Sequence, residues 1–182
     1  TAHSVMGLLP KDQLKTEAGS ISVLGEPIVG ASPKRLRQLR GNRMAMIFQE
    51  PMTALNPVMP LGRQIEEVLT EHTDMSSRDR KNRVYELMDA VNLPDNKNLF
   101  RSYPHEISGG QRQRVMIALA LALEPALLIA DEPTTALDVT TQQQILNLIK
   151  DIQKNRDTGV LFITHDFGVV AEIADRVIVM KD

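Results

Sequence analysis

The chain has 182 residues and a net charge of −2, with no cysteine and no tryptophan. This length suits one domain with a sizeable core. The lack of cysteine excludes disulfide frameworks and thiolate metal sites, and the slight acidic balance argues against nucleic-acid binding. The longest apolar stretch, residues 115–123, is too short to span a bilayer.

The first thirty residues predict short elements. Residues 1–9 are mildly apolar and favour a short helix, whereas residues 20–29 are rich in Ile and Val and are typical of hairpin strands. Gly25 and Gly30 have the G-x-x-x-x-G spacing of a phosphate loop. Because Ala31 stands where such a loop needs lysine, a glycine turn is the favoured interpretation.

A basic helix and a buried strand are predicted next. Residues 33–39 form the helix, and its cationic side chains are expected on a solvated face (Lys34, Arg35, Arg37 and Arg40). Residues 44–48 are apolar and predict a buried strand that ends at Gln49. A lone glutamine after a strand is ordinarily just a polar loop residue.

The segment that follows is predicted to be helical throughout. After a proline-containing loop over residues 52–60, residues 61–72 and 77–92 each place apolar side chains on one face. These are Leu61, Ile65, Val68 and Leu69 in the first helix and Val84, Leu87, Met88 and Val91 in the second. A loop over residues 95–104 leads onward. We therefore predict a helical subdomain, residues 51–115, inserted into an α/β core made of residues 1–50 and 116–182.

A further helix is predicted to begin at Ser108. Ser108 and Gln111 have the S-x-x-Q spacing of a capping box, and Met116, Leu119 and Leu123 then share one face. Gly109 and Gly110 fall in the first turn, where unpaired amides and the helix dipole favour an anion. The start of this helix is therefore a candidate phosphate site.

Two carboxylates follow the next predicted strand. Residues 126–130 are apolar and predict a strand buried on both faces, with Asp131 and Glu132 at its carboxyl end. Ligands of open parallel sheets bind beyond such ends. A phosphate site together with a carboxylate pair suggests nucleotide chemistry with magnesium.

The remaining residues predict further alternation of helix and strand. Asp138 can cap a helix whose inward face carries Ile145, Leu148, Ile149 and Ile152. A strand over residues 160–164 ends at His165, and a helix over 167–174 and a strand over 177–180 follow. Alternating strands and helices predict a mostly parallel, doubly wound sheet.

Five of these features, in this order, resemble the motifs of ABC ATPases. They are Gln49 (Q-loop), Ile107 to Gln111 (signature sequence), Leu127 to Glu132 (Walker B strand), Thr135 to Asp138 (D-loop) and His165 (H-loop). The resemblance covers essentially the whole chain. It implies a P-loop NTPase-like α/β fold that binds ATP and Mg²⁺ and hydrolyses ATP.

The resemblance also implies roles for individual residues. Glu132 would act as base or position the attacking water, His165 would contact the γ-phosphate, and Gln49 would contact both magnesium and that water. Asp131 would hold magnesium. In ABC dimers, a lid from one subunit covers the ATP that is bound to the other subunit. By this resemblance the lid would consist of Ser108, Gly109, Gly110 and Gln111, and Asp138 would lie near the seam between the two subunits. Taken alone, adjacent acids are more often a cap or turn, and a lone histidine is more often structural.

One motif of the family is missing from the sequence. No G-x-x-x-x-G-K-[ST] occurs, although the Walker A loop of ABC ATPases lies just before a helix that resembles residues 1–9. We interpret the chain as a fragment truncated at both ends. We expect the fragment alone to bind ATP weakly and not to hydrolyse it, because the triphosphate loses most of its ligands.

Three stretches resemble one group within the family, the dipeptide, oligopeptide and nickel importers, which includes glutathione importers. They are residues 49–57, 103–106 and 129–140. This likeness implies a peripheral subunit on the cytoplasmic face of the plasma membrane that powers uptake of a small solute. Its partners would be a second ATPase subunit, identical or different, two transmembrane permease subunits and, indirectly, an extracytoplasmic solute-binding protein, but no nucleic acid.

Two alternatives stay open. A soluble ABC ATPase of DNA repair or translation would carry long coiled coils, zinc-binding cysteines or basic arms, and the sequence has no cysteine and no sustained heptads. The chain could also be a non-catalytic binding piece.

Overall fold

The computed structural model describes residues 2–9, 16, 18–49, 54–135, 137–156 and 158–180. Thr1, Ala136 and the segment from Glu50 to Thr53 lie outside the described residues, as do the parts of the predictions that fall on them. The elements in chain order are α1 (Ala2–Val5), β1 (Ser22–Val23), β2 (Glu26–Pro27), α2 (Pro33–Leu39), β3 (Met44–Ile47), α3 (Leu61–His72), α4 (Ser77–Ala90), α5 (Asn96–Leu99), a 3₁₀ turn (Pro104–Glu106), α6 (Gly109–Leu121), β4 (Leu127–Asp131), α7 (Val139–Arg156), β5 (Gly159–Ile163) and α8 (Phe167–Ile173).

The first two strands form the predicted hairpin. Ser22 pairs with Pro27, and Val23 pairs with Glu26, in antiparallel register. Leu24 and Gly25 make the turn with φ angles of 51° and 80°, the left-handed conformation that suits a two-residue hairpin loop. The interpretation of Gly25 as a turn residue is confirmed.

The other three strands form a parallel sheet in the order β3-β4-β5. Because alternate residues of a strand point to opposite faces, each strand divides its side chains between two cores. One core receives Ala45, Ile47, Leu128, Ala130, Val160 and Phe162, and the other receives Met44, Met46, Leu127, Ile129, Leu161 and Ile163. The sheet is therefore covered on both sides, as predicted.

Different elements cover the two faces. The larger core is closed by α3, α4, α6 and α7 through residues such as Ile65, Leu87, Ile117 and Ile149, all of them fully buried. The smaller core is closed by α1, α2 and the hairpin. This layered arrangement confirms an α/β fold.

The helices agree closely with their sequence patterns. The bounds of α2 and α3 are the predicted ones, and α4 ends at Ala90, two residues before the predicted end at residue 92. Of the eight side chains predicted to face inward on α3 and α4, seven are buried and Val68 is partly buried. The short α5 was not predicted, since a helix of four residues shows no periodicity.

One predicted strand is absent. Residues 177–180 have no regular structure, and their side chains are between 56% and 81% exposed. An apolar run forms a strand only when a neighbouring backbone pairs with it, and no described residue does so here. The strand prediction for this segment is wrong.

The basic face of α2 is also only partly as predicted. Lys34, Arg35 and Arg37 are exposed, whereas Arg40 is half-buried. The Arg40 guanidinium donates to the carbonyl oxygens of Met6 and Gly7 at 2.8 Å and 2.7 Å. Arg40 therefore joins α2 to the end of the first helical segment instead of facing solvent.

A second arginine connects three helices inside the larger core. Arg114 on α6 is 8% exposed and donates to the carbonyl oxygen of Val91, at the end of α4, at 2.7 Å. It also donates to Oε1 of Gln144 on α7 at 2.7 Å. Burial lowers the pKa of Arg114, while the carbonyl end of α4 offers a favourable place for the charge.

Candidate functional site

The carboxyl ends of the three parallel strands bring together residues that are far apart in the sequence. Gln49 follows β3, Glu132 directly follows β4, and His165 follows β5. Neighbouring parallel strands end at the same edge of a sheet, so these three side chains meet there.

Glu132 is the centre of this group. Its Oε1 lies 2.9 Å from Nδ1 of His165. Its Oε2 accepts hydrogen bonds from Nε2 of Gln49 at 3.0 Å and from Oγ1 of Thr135 at 2.9 Å. We refer to Gln49, Glu132, Thr135 and His165 as the carboxylate cluster.

The contacts within the carboxylate cluster favour the charged forms of Glu132 and His165. The hydrogen bond from His165 lowers the pKa of Glu132, and the hydrogen bond from Thr135 lowers it further. The same contact with Glu132 raises the pKa of His165. Glu132 is therefore an ionised carboxylate at neutral pH, in the form that can accept a proton.

The backbone at Glu132 is unusual. Its φ angle is 47°, a left-handed value that non-glycine residues rarely adopt. The amide of Glu132 donates to the carbonyl oxygen of Ile163 on β5 at 2.9 Å, and the carbonyl oxygen of Glu132 accepts from the amide of Thr135 at 3.2 Å. These two bonds hold the residue in a tight turn above the sheet edge.

Asp131 precedes this turn as the last residue of β4 and is half-buried. Among the described residues, no group of three or more His, Cys, Asp or Glu side chains is placed to hold a metal ion. Mg²⁺ usually takes only one or two protein carboxylates and completes its shell with water and substrate phosphates. Asp131 and Gln49 carry side-chain oxygens, which are the type of donor that Mg²⁺ prefers.

A second candidate region lies at the start of α6. Ser108 caps the helix by accepting from the amide of Gln111 at 3.2 Å, and Gln111 Oε1 accepts from the amide of Ser108 at 2.9 Å. The predicted capping box is confirmed, and Gly109 and Gly110 occupy the first turn. We refer to Ser108, Gly109, Gly110 and Gln111 as the signature turn.

The signature turn packs against the start of α7. A Cβ atom at Gly110 would lie 2.7 Å from Cγ2 of Thr141, which is closer than real contacts allow. Thr141 in turn donates from its amide at 3.0 Å and from its hydroxyl at 2.6 Å to the carboxylate of Asp138. The hydroxyl and then the amide of Thr141 lower the pKa of Asp138. Asp138 thus caps α7, as predicted.

Comparison with known proteins assigns the family. The sequence profile of ABC transporters matches residues 5–135 of the chain. The chain belongs to the ABC transporter family.

Relatives within the family are named as transport ATP-binding proteins. The chain is 52% identical over 180 residues to the oligopeptide transport ATP-binding protein OppD of Bacillus subtilis strain 168, covering 99% of this chain and 50% of that protein. It is 49% identical over 180 residues to the dipeptide transport ATP-binding protein DppD of the same strain, covering 99% of this chain and 54% of the relative. It is 56% identical over 151 residues to the glutathione import ATP-binding protein GsiA of Pectobacterium atrosepticum, covering 83% of this chain and 24% of the relative. The chain spans about half the length of the first two relatives.

Solved structures of ABC cassettes share the fold. The chain is similar to the ATP-binding cassette MJ0796, solved as a dimer in a post-hydrolysis state bound to ADP and Pi, with a TM-score of 0.75 and 29% identity. The match covers 84% of this chain and 65% of that one. A second dimeric structure of MJ0796 matches with the same TM-score. The predicted ABC ATPase fold is confirmed.

The structure thus divides the predicted ABC site residues between two regions. Gln49, Glu132 and His165 meet in the carboxylate cluster with Asp131 beside them, while the signature turn and Asp138 lie together around Thr141. No hydrogen bond among the described residues joins the two regions. The roles of all these residues stay predictions.

Two threonines with direct contacts were not assigned roles from the sequence. The sequence pattern marks Thr135 only as part of the D-loop, and it gives Thr141 no role. Each lies three residues after a carboxylate, Glu132 or Asp138, and this is the spacing at which a hydroxyl can reach back within a turn. The three-residue spacing between carboxylate and threonine is therefore the sequence feature that predicts these two contacts.

Proposed function

We propose that this chain is part of an ATP-hydrolysing subunit that powers an importer of di- or oligopeptides or related small solutes. The observation that carries the proposal is the convergence of Gln49 and His165 on the Glu132 carboxylate at the sheet edge. Sequence comparison also supports the proposal, because about half of the residues are identical to those of oligopeptide and dipeptide transport ATP-binding proteins.

Glu132 is the proposed general base. It is ionised, sits beyond the end of a buried strand, and keeps acceptor capacity after its described hydrogen bonds, as a carboxylate offers about four lone-pair sites. His165 orients the carboxylate and, in the proposed complex, contacts the γ-phosphate. Phosphoryl transfer depends mainly on such positioning and on charge neutralisation.

Asp131 and Gln49 are the proposed protein ligands of Mg²⁺, whose chemistry when bound is to neutralise phosphate charge. The 182 residues contain no G-x-x-x-x-G-K-[ST]. We therefore propose that residues outside this chain supply the phosphate loop, and that the chain alone does not turn over ATP.

The signature turn is proposed to cover ATP held by a second ATPase subunit, with Asp138 at the seam between the two subunits. Its capped helix start presents backbone amides, which favour an anion. The dimeric state of the similar MJ0796 cassette supports this arrangement.

Residues 51–115 are proposed to form the helical subdomain that docks a coupling helix of a permease on the cytoplasmic face of the plasma membrane. The whole assembly would contain two transmembrane permease subunits. A solute-binding protein outside the membrane would deliver the substrate. No helix in the described parts of the chain is long and apolar enough to cross a membrane.

The test is the ATP turnover of the complete subunit assembled with its permeases, comparing the native residue with Glu132→Gln. Turnover is expected to fall at least about 100-fold, as for loss of a general base, while ATP binding persists. The matched control is Glu86→Gln, which alters an exposed carboxylate on α4 that pairs with Arg83. Undiminished turnover in Glu132→Gln would contradict the assignment.

Uptake of a labelled peptide tests the transport part of the proposal. Vesicles containing the assembled transporter are expected to accumulate the peptide only with ATP and only with Glu132 intact. A subunit that hydrolyses ATP but does not copurify with any permease would contradict the importer assignment and leave the ATPase assignment in place.

A further inference from the structure

The hydroxyl of Thr135 makes a direct contact with the carboxylate of Glu132. Oγ1 of Thr135 donates to Oε2 at 2.9 Å, and Nε2 of Gln49 donates to the same oxygen at 3.0 Å. Each carboxylate oxygen has two lone pairs. The described contacts therefore saturate Oε2.

Oε1, the other carboxylate oxygen of Glu132, has a described contact for only one of its two lone pairs. Oε1 has one contact among the described residues, with Nδ1 of His165 at 2.9 Å. One lone pair of Oε1 therefore remains to accept a proton. The arrangement distinguishes the two oxygens chemically, although the free carboxylate would be symmetric.

We propose that Thr135 is a positioning residue for ATP hydrolysis, because its hydroxyl fixes Oε2 and thereby directs Oε1 of Glu132 toward the attacking water. This inference rests on the proposed function. In the step concerned, water gives a proton to Oε1 and its oxygen forms a bond to the γ-phosphorus. The bond from that phosphorus to the bridging oxygen breaks, and its electron pair leaves with ADP.

The surroundings of Thr135 favour this role over a purely structural one. Thr135 is exposed and belongs to neither core, whereas its neighbour Thr134 is buried. The turn is already closed by the backbone bond from the Thr135 amide to the Glu132 carbonyl at 3.2 Å. The turn therefore does not need the hydroxyl, and the described partner of that hydroxyl is the carboxylate.

The experiment compares Thr135→Val and Thr135→Ser in the complete subunit assembled with its permeases. Thr135→Val keeps the shape and removes the hydroxyl, so kcat is expected to fall roughly tenfold, the effect of one hydrogen bond to a charged group. KM for ATP should stay within about twofold, since a group that acts only in the transition state changes kcat alone. Thr135→Ser should restore kcat.

Two further variants make the outcome specific. Thr158→Val removes a hydroxyl that donates to the Pro125 carbonyl at 3.1 Å, at the opposite end of the strands from Glu132, and it should leave kcat unchanged. In the Glu132→Gln background, Thr135→Val should add no further loss, because the carboxylate that it positions is already gone.

The opposite results would overturn the proposal. A native kcat in Thr135→Val, an equal loss in Thr135→Ser, or a rise in KM with constant kcat would each exclude a positioning role. If Thr135→Val lowers the melting temperature, Thr135→Ala replaces it under the same criteria. Native turnover in Glu132→Gln would instead overturn the proposed function itself, whatever the Thr135 variants show.

Discussion

The carboxylate cluster and the signature turn are built in opposite ways. In the carboxylate cluster, direct hydrogen bonds join side chains that lie up to 83 residues apart in the sequence, as the Gln49–Glu132 contact shows. The signature turn is local, since its reciprocal capping bonds join residues only three apart. One region depends on the parallel sheet, and the other depends on the first turn of a single helix.

The difference predicts how each region responds to change. A residue of the carboxylate cluster can be altered with little loss of stability, because the strands that position it are held by buried cores. A residue of the signature turn contributes directly to helix formation and to packing against Thr141, so its alteration should cost stability as well as function.

The largest effect is expected from His165→Ala. Removal of the partner of Oε1 should lower ATP turnover about 100-fold, as for loss of one preorganised donor, with little change in melting temperature. The control is His105→Ala, because the His105 ring stacks on Tyr103 with centroids 5.7 Å apart and makes no described contact with the cluster. If His165→Ala and His105→Ala show equal ATP turnover, His165 does not contribute to hydrolysis through the carboxylate cluster.

The next effect concerns packing at Gly110. Gly110→Ala would force a methyl group against Cγ2 of Thr141, and overpacking of this kind costs about 1–3 kcal/mol of folding free energy, measured by denaturant unfolding. Gly109→Ala is the matched control, since its nearest atom would be the Arg112 side chain at 3.9 Å. Thr141→Ser removes the obstructing methyl but keeps the hydroxyl, and it should restore stability to Gly110→Ala. If Thr141→Ser does not restore the stability of Gly110→Ala, the destabilisation does not come from contact with Cγ2 of Thr141.

A smaller loss is expected from Ser108→Ala. Loss of an N-cap hydroxyl costs about 1 kcal/mol. Ser76→Ala removes the corresponding cap of α4, where Ser76 accepts from the amide of Asp79, and should cost a similar amount. If the signature turn contacts ATP that is bound to a second subunit, only Ser108→Ala should also weaken ATP-dependent dimerisation, measured by light scattering. Equal dimerisation in both variants would leave the turn with a structural role only.

The smallest effect concerns pH. His165 should titrate in an NMR experiment above its ordinary pKa of about 6.5, and Glu132→Gln should lower its pKa, because the contact with Glu132 is the main cause of the raised value. The pair stabilises the folded protein in the pH range where Glu132 is ionised and His165 is protonated. This stabilisation is lost as pH rises through the raised pKa of folded His165, and it is lost at the acid end as pH falls through the lowered pKa of Glu132. Since the His165 side chain is 78% exposed, solvent screens the pair and the change in stability is small. An identical titration in Glu132→Gln would contradict the contact.

The sequence predicts best what is decided locally. The Ser108 capping box and the bounds of α2 and α3 follow from residues within one or two turns of each other. The strand predicted over residues 177–180 failed because strand formation needs a partner backbone, which an apolar run cannot reveal. Arg40 was misplaced for a similar reason, since its carbonyl partners lie 33 and 34 residues earlier.

The candidate site shows the same limit. The resemblance of the motifs to those of ABC ATPases named Gln49, Glu132 and His165, but only the adjacency of β3, β4 and β5 shows that they share one carboxylate. The contact between Thr135 and the Glu132 carboxylate depends on the left-handed backbone of Glu132. Glutamate rarely adopts this conformation, so the sequence does not predict the turn.

The left-handed backbone of Glu132 has a consequence for how variants of this protein respond to selection. A glutamate held at a φ angle of 47° costs about 1 kcal/mol that asparagine or glycine would largely avoid. A library screened for thermal stability alone should therefore enrich asparagine or glycine at position 132, and each enriched clone would lack the carboxylate. At this single residue, thermostability and the proposed ATPase activity are expected to compete, so a screen for one must also measure the other.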